Sequence, residues 1–171
     1  LVASMIAKHG EAKTLEWLQG FKQNLARKPQ GNDRGQVQAI HQKLCDLSLG
    51  NSYYFGKMLT DDKQKAWADA VNINFPNQNN RGAHVNISGM AMAKHAPNAE
   101  HARALMEFLV SEKAQELYAT TNMEYPVRQG VKRSSLVASW GDFKADPLPL
   151  EMIAKNRELA IKLLDKTQFD L

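Results

Sequence analysis

The apolar residues of this chain change period along its length, and that change limits the folds open to it. Leu15, Leu18 and Phe21 follow Thr14, a candidate helix cap, at helical spacing, with Trp17 beside them and a break before Pro29. Val37, Ile40, His41 and Leu44 mark a second helix. Asn98 stands as a cap before the helical face Ala102, Leu105, Met106 and Leu109, Ser111 opens another helix over "EKAQELYAT", and a short helix is predicted around 136–140. The spacing predicts a last helix from about 150 to 166. Between these segments, "DLSLG" (46–50), "VNINF" (71–75) and "HVNISGMAMAK" (84–94) read as strands, the first two on their alternating pattern. Helices alternating with strands predict an α/β arrangement, a sheet between helical layers.

Composition then removes several function classes. With 43% hydrophobic and 23% charged residues the chain resembles an ordinary globular protein, and no stretch reaches the roughly 20 apolar residues of a membrane span. The formal charge of +4 is spread along the chain with acids between the bases. A nucleic-acid footprint needs bases clustered on one face, so no nucleic-acid partner is expected. The single cysteine, Cys45, excludes an intrachain disulfide and a Cys-rich metal site. Leu1 to Ile6 already read as a helix in progress, so the sequence is expected to begin partway through a longer protein.

Motifs for common enzyme chemistries are missing. The phosphate loops GxGxxG and GxxxxGK[ST] and the GxSxG elbow are absent from the sequence. His41 and Cys45, four apart on one predicted helix, are the pair on which a thiol enzyme would have to rest, and packing is the commoner role for such a cysteine. The five histidines form no HExxH pattern; four are expected at the surface, with His84 opening a strand. No catalytic residue is assigned.

The chemistry concentrates instead in "LGNSYYFGKM". On a strand, Tyr53 and Tyr54 would face opposite ways. With Ser52 as N-cap of a helix they become its first two residues, about 100° apart around the axis, and both phenols can lean into one cleft. A helix N-terminus favours anions, yet a phenol titrates near pH 10, so two phenolates need a stronger partner than the helix dipole. A hard trivalent cation is such a partner, because bound metal deprotonates its oxygen ligands. Adjacent tyrosines more often serve cores and interfaces, and the dipeptide alone leaves both roles open.

Beyond the tyrosines, "NLARKPQGNDRGQVQAI", "FPNQNNRGAHVNISGMAMAKHAPN", "EFLVSEKAQELYA", "EYPVR" and "LVASWGDFKADPLPL" occur in an order that closely resembles the periplasmic ferric-iron-binding proteins of bacterial ABC transporters. The resemblance implies the type II periplasmic binding protein fold, two α/β lobes closing on Fe³⁺, of which this chain would be roughly the C-terminal half. It implies residues 1–83 in the second lobe with the tyrosine pair, 84–134 as a crossing strand and helices given to the first lobe, and 135–171 returning to the second. It further implies Tyr53 and Tyr54 as iron ligands, a third tyrosine shortly before Leu1, and a carbonate or phosphate completing the sphere. Asn51 resembles an anion-binding position, and Ser52 is grouped with it at the cap. Lys57, one turn beyond Tyr53, is a candidate to offset phenolate charge, although a solvated lysine is the plainer reading. Arg81, in the Asn-rich loop, is weaker still. The implied partners are an inner-membrane ABC permease, ferric iron or a ferric chelate, and the N-terminal half of the same protein, and the implied location of the protein is the periplasm. The alternative cargo is another metal chelate or a small organic anion.

Overall fold

The computed structural model describes residues 1–169, so the last two positions of the 135–171 segment lie outside the described residues. Among the described residues the helices are α1 (Val2–Gln23), α2 (Asp33–His41), α3 (Ser52–Leu59), α4 (Lys65–Ala68), α5 (Ala99–Leu109), α6 (Glu112–Thr121), α7 (Ser135–Ser139), α8 (Leu150–Lys155) and α9 (Arg157–Thr167). They group into two compact units, one of 1–31, 75–85 and 143–171, the other of 32–74 and 86–142.

In the first unit the apolar face of α1 packs on α8 and α9, where Ile6, Leu18 and Leu163 are buried with Ala3 and Ala160. Trp17, Phe21 and Phe169 stack in series, with centroids 5.0 and 5.7 Å apart. The Lys22 ammonium donates to the carbonyls of Thr167 (3.0 Å) and Gln168 (2.5 Å), supplying the cation that the last turn of α9 favours. Thr14 is not a cap. It lies inside α1, fully buried, and its hydroxyl donates to the Gly10 carbonyl at 2.8 Å. The break falls at Gly10 itself, whose φ of 79° is open to glycine and costly for a side chain. The helix expected over 150–166 is likewise divided, at Asn156, whose amide donates back to the Met152 carbonyl.

The three predicted strands are not strands among the described residues. Residues 46–50, 71–75 and 84–94 are without regular structure, because a strand exists only through the ladder of a neighbour and these segments meet none. Ile87, Met90 and Met92 are accordingly exposed. What pairing there is lies at the edge of the third segment, where Ala83 and Ala145 form an isolated parallel bridge. Its bonds run from Ala83 N–H to the Lys144 carbonyl and from Asp146 N–H to the Ala83 carbonyl, both 2.8 Å.

The second unit is helical throughout its regular parts. Helices α2, α3 and α4 pack on one another, and α5 contacts α6. Ser111 caps α6 through its hydroxyl, as its sequence position suggests, and Ser134 caps α7 in the same way, whereas Asn98 precedes α5 without a side-chain cap bond. Gln115, buried, donates to the Leu109 carbonyl and accepts from Val127 N–H, tying the loop after α6 to the end of α5.

Candidate functional site

Helix α3 carries the tyrosines, and its packing explains why they point away from the core. Met58 is fully buried, Phe55 meets the Trp140 ring at 5.7 Å, and Gly56 lies so close to Met123 that a Cβ there would fall 2.6 Å from the Met123 Cβ. These residues bind one face of the helix. Tyr53 and Tyr54, at its opening turn, remain half-exposed with ring centroids 4.4 Å apart and planes inclined by 40°.

The cap is one residue earlier than the sequence suggests. Asn51 holds the extended N-cap conformation, and Ser52 is the first helical residue, so Tyr53 and Tyr54 are the second and third. The Asn51 side chain makes no cap bond because it is engaged elsewhere. Its amide donates to Asp33 Oδ1 at 3.0 Å, its backbone N–H donates to the same oxygen at 2.7 Å, and its Oδ1 accepts from Asn86 Nδ2 at 3.4 Å. One carboxylate therefore fixes both the turn and the amide just before the phenols.

Asp33 opens α2, whose own cap is Asn32, its side chain accepting from Gly35 N–H. The next residue, Arg34, places its guanidinium carbon 5.7 Å from the Tyr54 ring centre. The phenol of Tyr53 is held above its usual range, first by hydrogen bonding with Tyr54, then by burial, by the charge of Tyr54 and by the carboxylates Asp33 and Glu124. Without metal the Tyr53 phenol is thus protonated at neutral pH. A cation bound to its oxygen must displace that proton.

The structure brings Asn51, Ser52, Tyr53 and Tyr54 into one turn. Lys57 lies on the same helix in its last turn, where a cation complements the dipole, and its ammonium has no ion-pair partner among the described residues. Arg81 belongs to the other compact unit and donates to His9 Nε2 at 2.8 Å. His41 ends α2 and Cys45 lies beyond it, outside any helix, so they do not share a helix. Burial holds the His84 imidazole below its usual range. Among the described residues no three His, Cys, Asp or Glu side chains cluster as metal ligands. Asp33, Arg34, Asn86 and Glu124 were not among the expected site residues. They stand 18 or more positions from the pair, and the one local signal was "GND" at 31–33, a helix entry that reads as a plain turn.

Comparison with known proteins gives this turn a context. The iron uptake protein A1 of Synechocystis is 46% identical over 97% of this chain. The apo ferric ion-binding protein A of Pasteurella haemolytica is 56% identical and superposes on the whole chain with a TM-score of 0.97. A Trichodesmium protein solved in complex with iron and citrate ligands is 42% identical over 99% of the chain, with a TM-score of 0.93. The chain spans about half the length of these relatives, 47% of the Synechocystis protein and 54% of each of the two solved structures. Its fold is accordingly that of about half of a type II periplasmic binding protein. A family model described as bacterial extracellular solute-binding protein matches residues 5–145, and the chain belongs to that family.

Proposed function

We propose that this chain supplies the tyrosine side of a ferric-iron site in a solute-binding protein, with Tyr53 and Tyr54 binding Fe³⁺ as tyrosinates. The observation that carries the reading is the pair itself. Two phenols with ring centres 4.4 Å apart stand at a helix N-terminus, braced by Asp33 through Asn51, in a chain 56% identical to a protein named for ferric-ion binding. Iron is the cargo of such a site. Its charge replaces the two phenolic protons, and the unpaired N–H groups of the first turn of α3 add a favourable field for the anions left behind.

In the complete protein, residues 1–83 and 135–171 contribute to one lobe and 84–134 to the other, and closure of the lobes buries the ion before delivery to an ABC permease in the inner membrane. Those lobes are units of a longer molecule and are distinct from the compact units within this chain. The family description and the iron-uptake relatives support a periplasmic, non-enzymatic role. The iron and citrate held by the Trichodesmium relative favour cargo arriving with an anion, for which Asn51 and Ser52, directly before the pair in the same turn, are the candidate polar groups. Carbonate or phosphate would serve the same purpose.

The test uses ferric nitrilotriacetate, whose chelate fills coordination positions that two tyrosines leave open. A visible tyrosinate-to-iron charge-transfer band should appear with the chain and vanish in the variant carrying Tyr53→Phe and Tyr54→Phe. A wild-type chain that stays colourless, or a double variant that keeps the band, overturns the assignment.

A further inference from the structure

Arg34 is electrostatically out of place. It is the second residue of α2, and a helix N-terminus carries partial positive charge that disfavours a cation there. Its Nε is buried and has no hydrogen-bond partner, a state that costs free energy and in a native structure calls for a reason. What the guanidinium does meet is Tyr54, at 5.7 Å from the ring centre, within the range of a cation–π contact. The residue immediately before it, Asp33, holds Asn51 by two hydrogen bonds at 2.7 and 3.0 Å. The opening of α2 therefore grips the tyrosine turn twice, by a carboxylate on its backbone and by a guanidinium on its second ring.

We infer that Arg34 is a positioning residue for the metal-binding pair, setting the orientation of the Tyr54 ring and the energy of its oxygen donor. The inference rests on the proposed role of Tyr53 and Tyr54. A planar cation over the ring fixes the ring's tilt toward its neighbour, which no hydrogen bond to the phenol needs to do. It also lowers the energy of the ring's π electrons, which are the electrons promoted in a tyrosinate-to-iron transition. Near Asp33 and Glu124, both close enough to act on Tyr53, a positive group against the pair offsets surrounding negative charge. The guanidinium does this with a flat face that lysine lacks.

The experiment compares wild type with Arg34→Met and Arg34→Lys, using ferric nitrilotriacetate as the iron source and circular dichroism to follow folding. Arg34→Met should keep a band but move it to longer wavelength and weaken iron retention roughly three- to thirtyfold, the range a cation–π contact spans. Arg34→Lys should recover part of the band shift, since it restores charge without the planar face. In the metal-free protein, the Arg34 Nε–H resonance should move in Tyr54→Leu, which removes the ring, and stay nearly unchanged in Tyr54→Phe, which keeps it. A band unmoved in both Arg34 variants, with the resonance indifferent to Tyr54→Leu, overturns the role of Arg34 and leaves the tyrosine site standing. A colourless wild type overturns both.

Discussion

Replacing Gly56 by alanine tests whether the tyrosine helix is held by the close approach seen beneath it. In an exposed helix interior the change would stabilise, by about 1 kcal/mol, because alanine has the higher helix propensity. Here the new Cβ would stand 2.6 Å from Met123 Cβ, 2.8 Å from its Cγ and 3.1 Å from Trp140 Cη2. Carbon atoms in contact prefer about 3.5–4.0 Å, so the overlap is roughly 1 Å against an atom attached directly to backbone. Met123 cannot swing its Cβ away by changing rotamer, and its backbone is already in the left-handed region at φ 58°. Overpacking of this kind costs about 1–3 kcal/mol, and the upper part of the range applies where the neighbour is fixed. Set against the propensity gain, the net loss is on the order of 1–2 kcal/mol, or a fall in Tm of roughly 2–8 °C for a chain of this size. Thermal and urea unfolding followed by circular dichroism would measure it. Met123→Gly removes the clashing atoms and suits the positive φ, so the cost of Gly56→Ala should shrink in that background. A stabilising Gly56→Ala, or an equal cost with Met123→Gly, refutes the packing argument.

Iron affinity should fall as pH falls, because each phenol must lose its proton to bind. The dependence is about tenfold per pH unit for each proton displaced, after allowing for the chelator's own protonation, and a flat profile excludes tyrosinate ligation. In the metal-free chain the raised Tyr53 pKa has the opposite consequence at the alkaline end. Stability is fully present below the ordinary phenol range and is lost as pH rises through the raised value, which ultraviolet titration of Tyr53→Phe against wild type would reveal. Asp33→Ala strips the Asn51 N–H of its acceptor and should cost about 1–3 kcal/mol in urea unfolding; it should also lower iron retention, whereas a neutral result denies the brace. Lys8→Met leaves the carboxylate of Asp146, 4% exposed, without the ammonium 3.3 Å away. With Lys8 itself 30% exposed, solvent reduces the effect to about 1–3 kcal/mol, and adding Asp146→Asn should recover most of it.

Helices with strong periodicity were legible from local residues, and so was the hydroxyl cap at Ser111, which accepts from the Ala114 amide three positions on. The misreadings share one cause, which is that the decisive partner is distant or shared. Thr14 reads as a cap until Gly10 is known to break the helix before it and to leave its carbonyl facing the hydroxyl. The runs 46–50, 71–75 and 84–94 have plausible strand composition, but composition only qualifies a segment for pairing and cannot provide the neighbour. The tyrosine turn shows the same limit at the site. Local rules name Ser52 as cap because serine is a good one; the structure prefers Asn51 because Asp33, 18 residues earlier, holds that residue's N–H and amide together. That displacement by one residue carries a chemical consequence. It moves Tyr54 to the third helical position, over which the guanidinium of Arg34 lies, so one helix opening both sets the cap and presents a cation to the ring. Two tyrosines in a sequence show which atoms are available to a metal; it is the acid and base at the start of another helix that decide how those atoms are held.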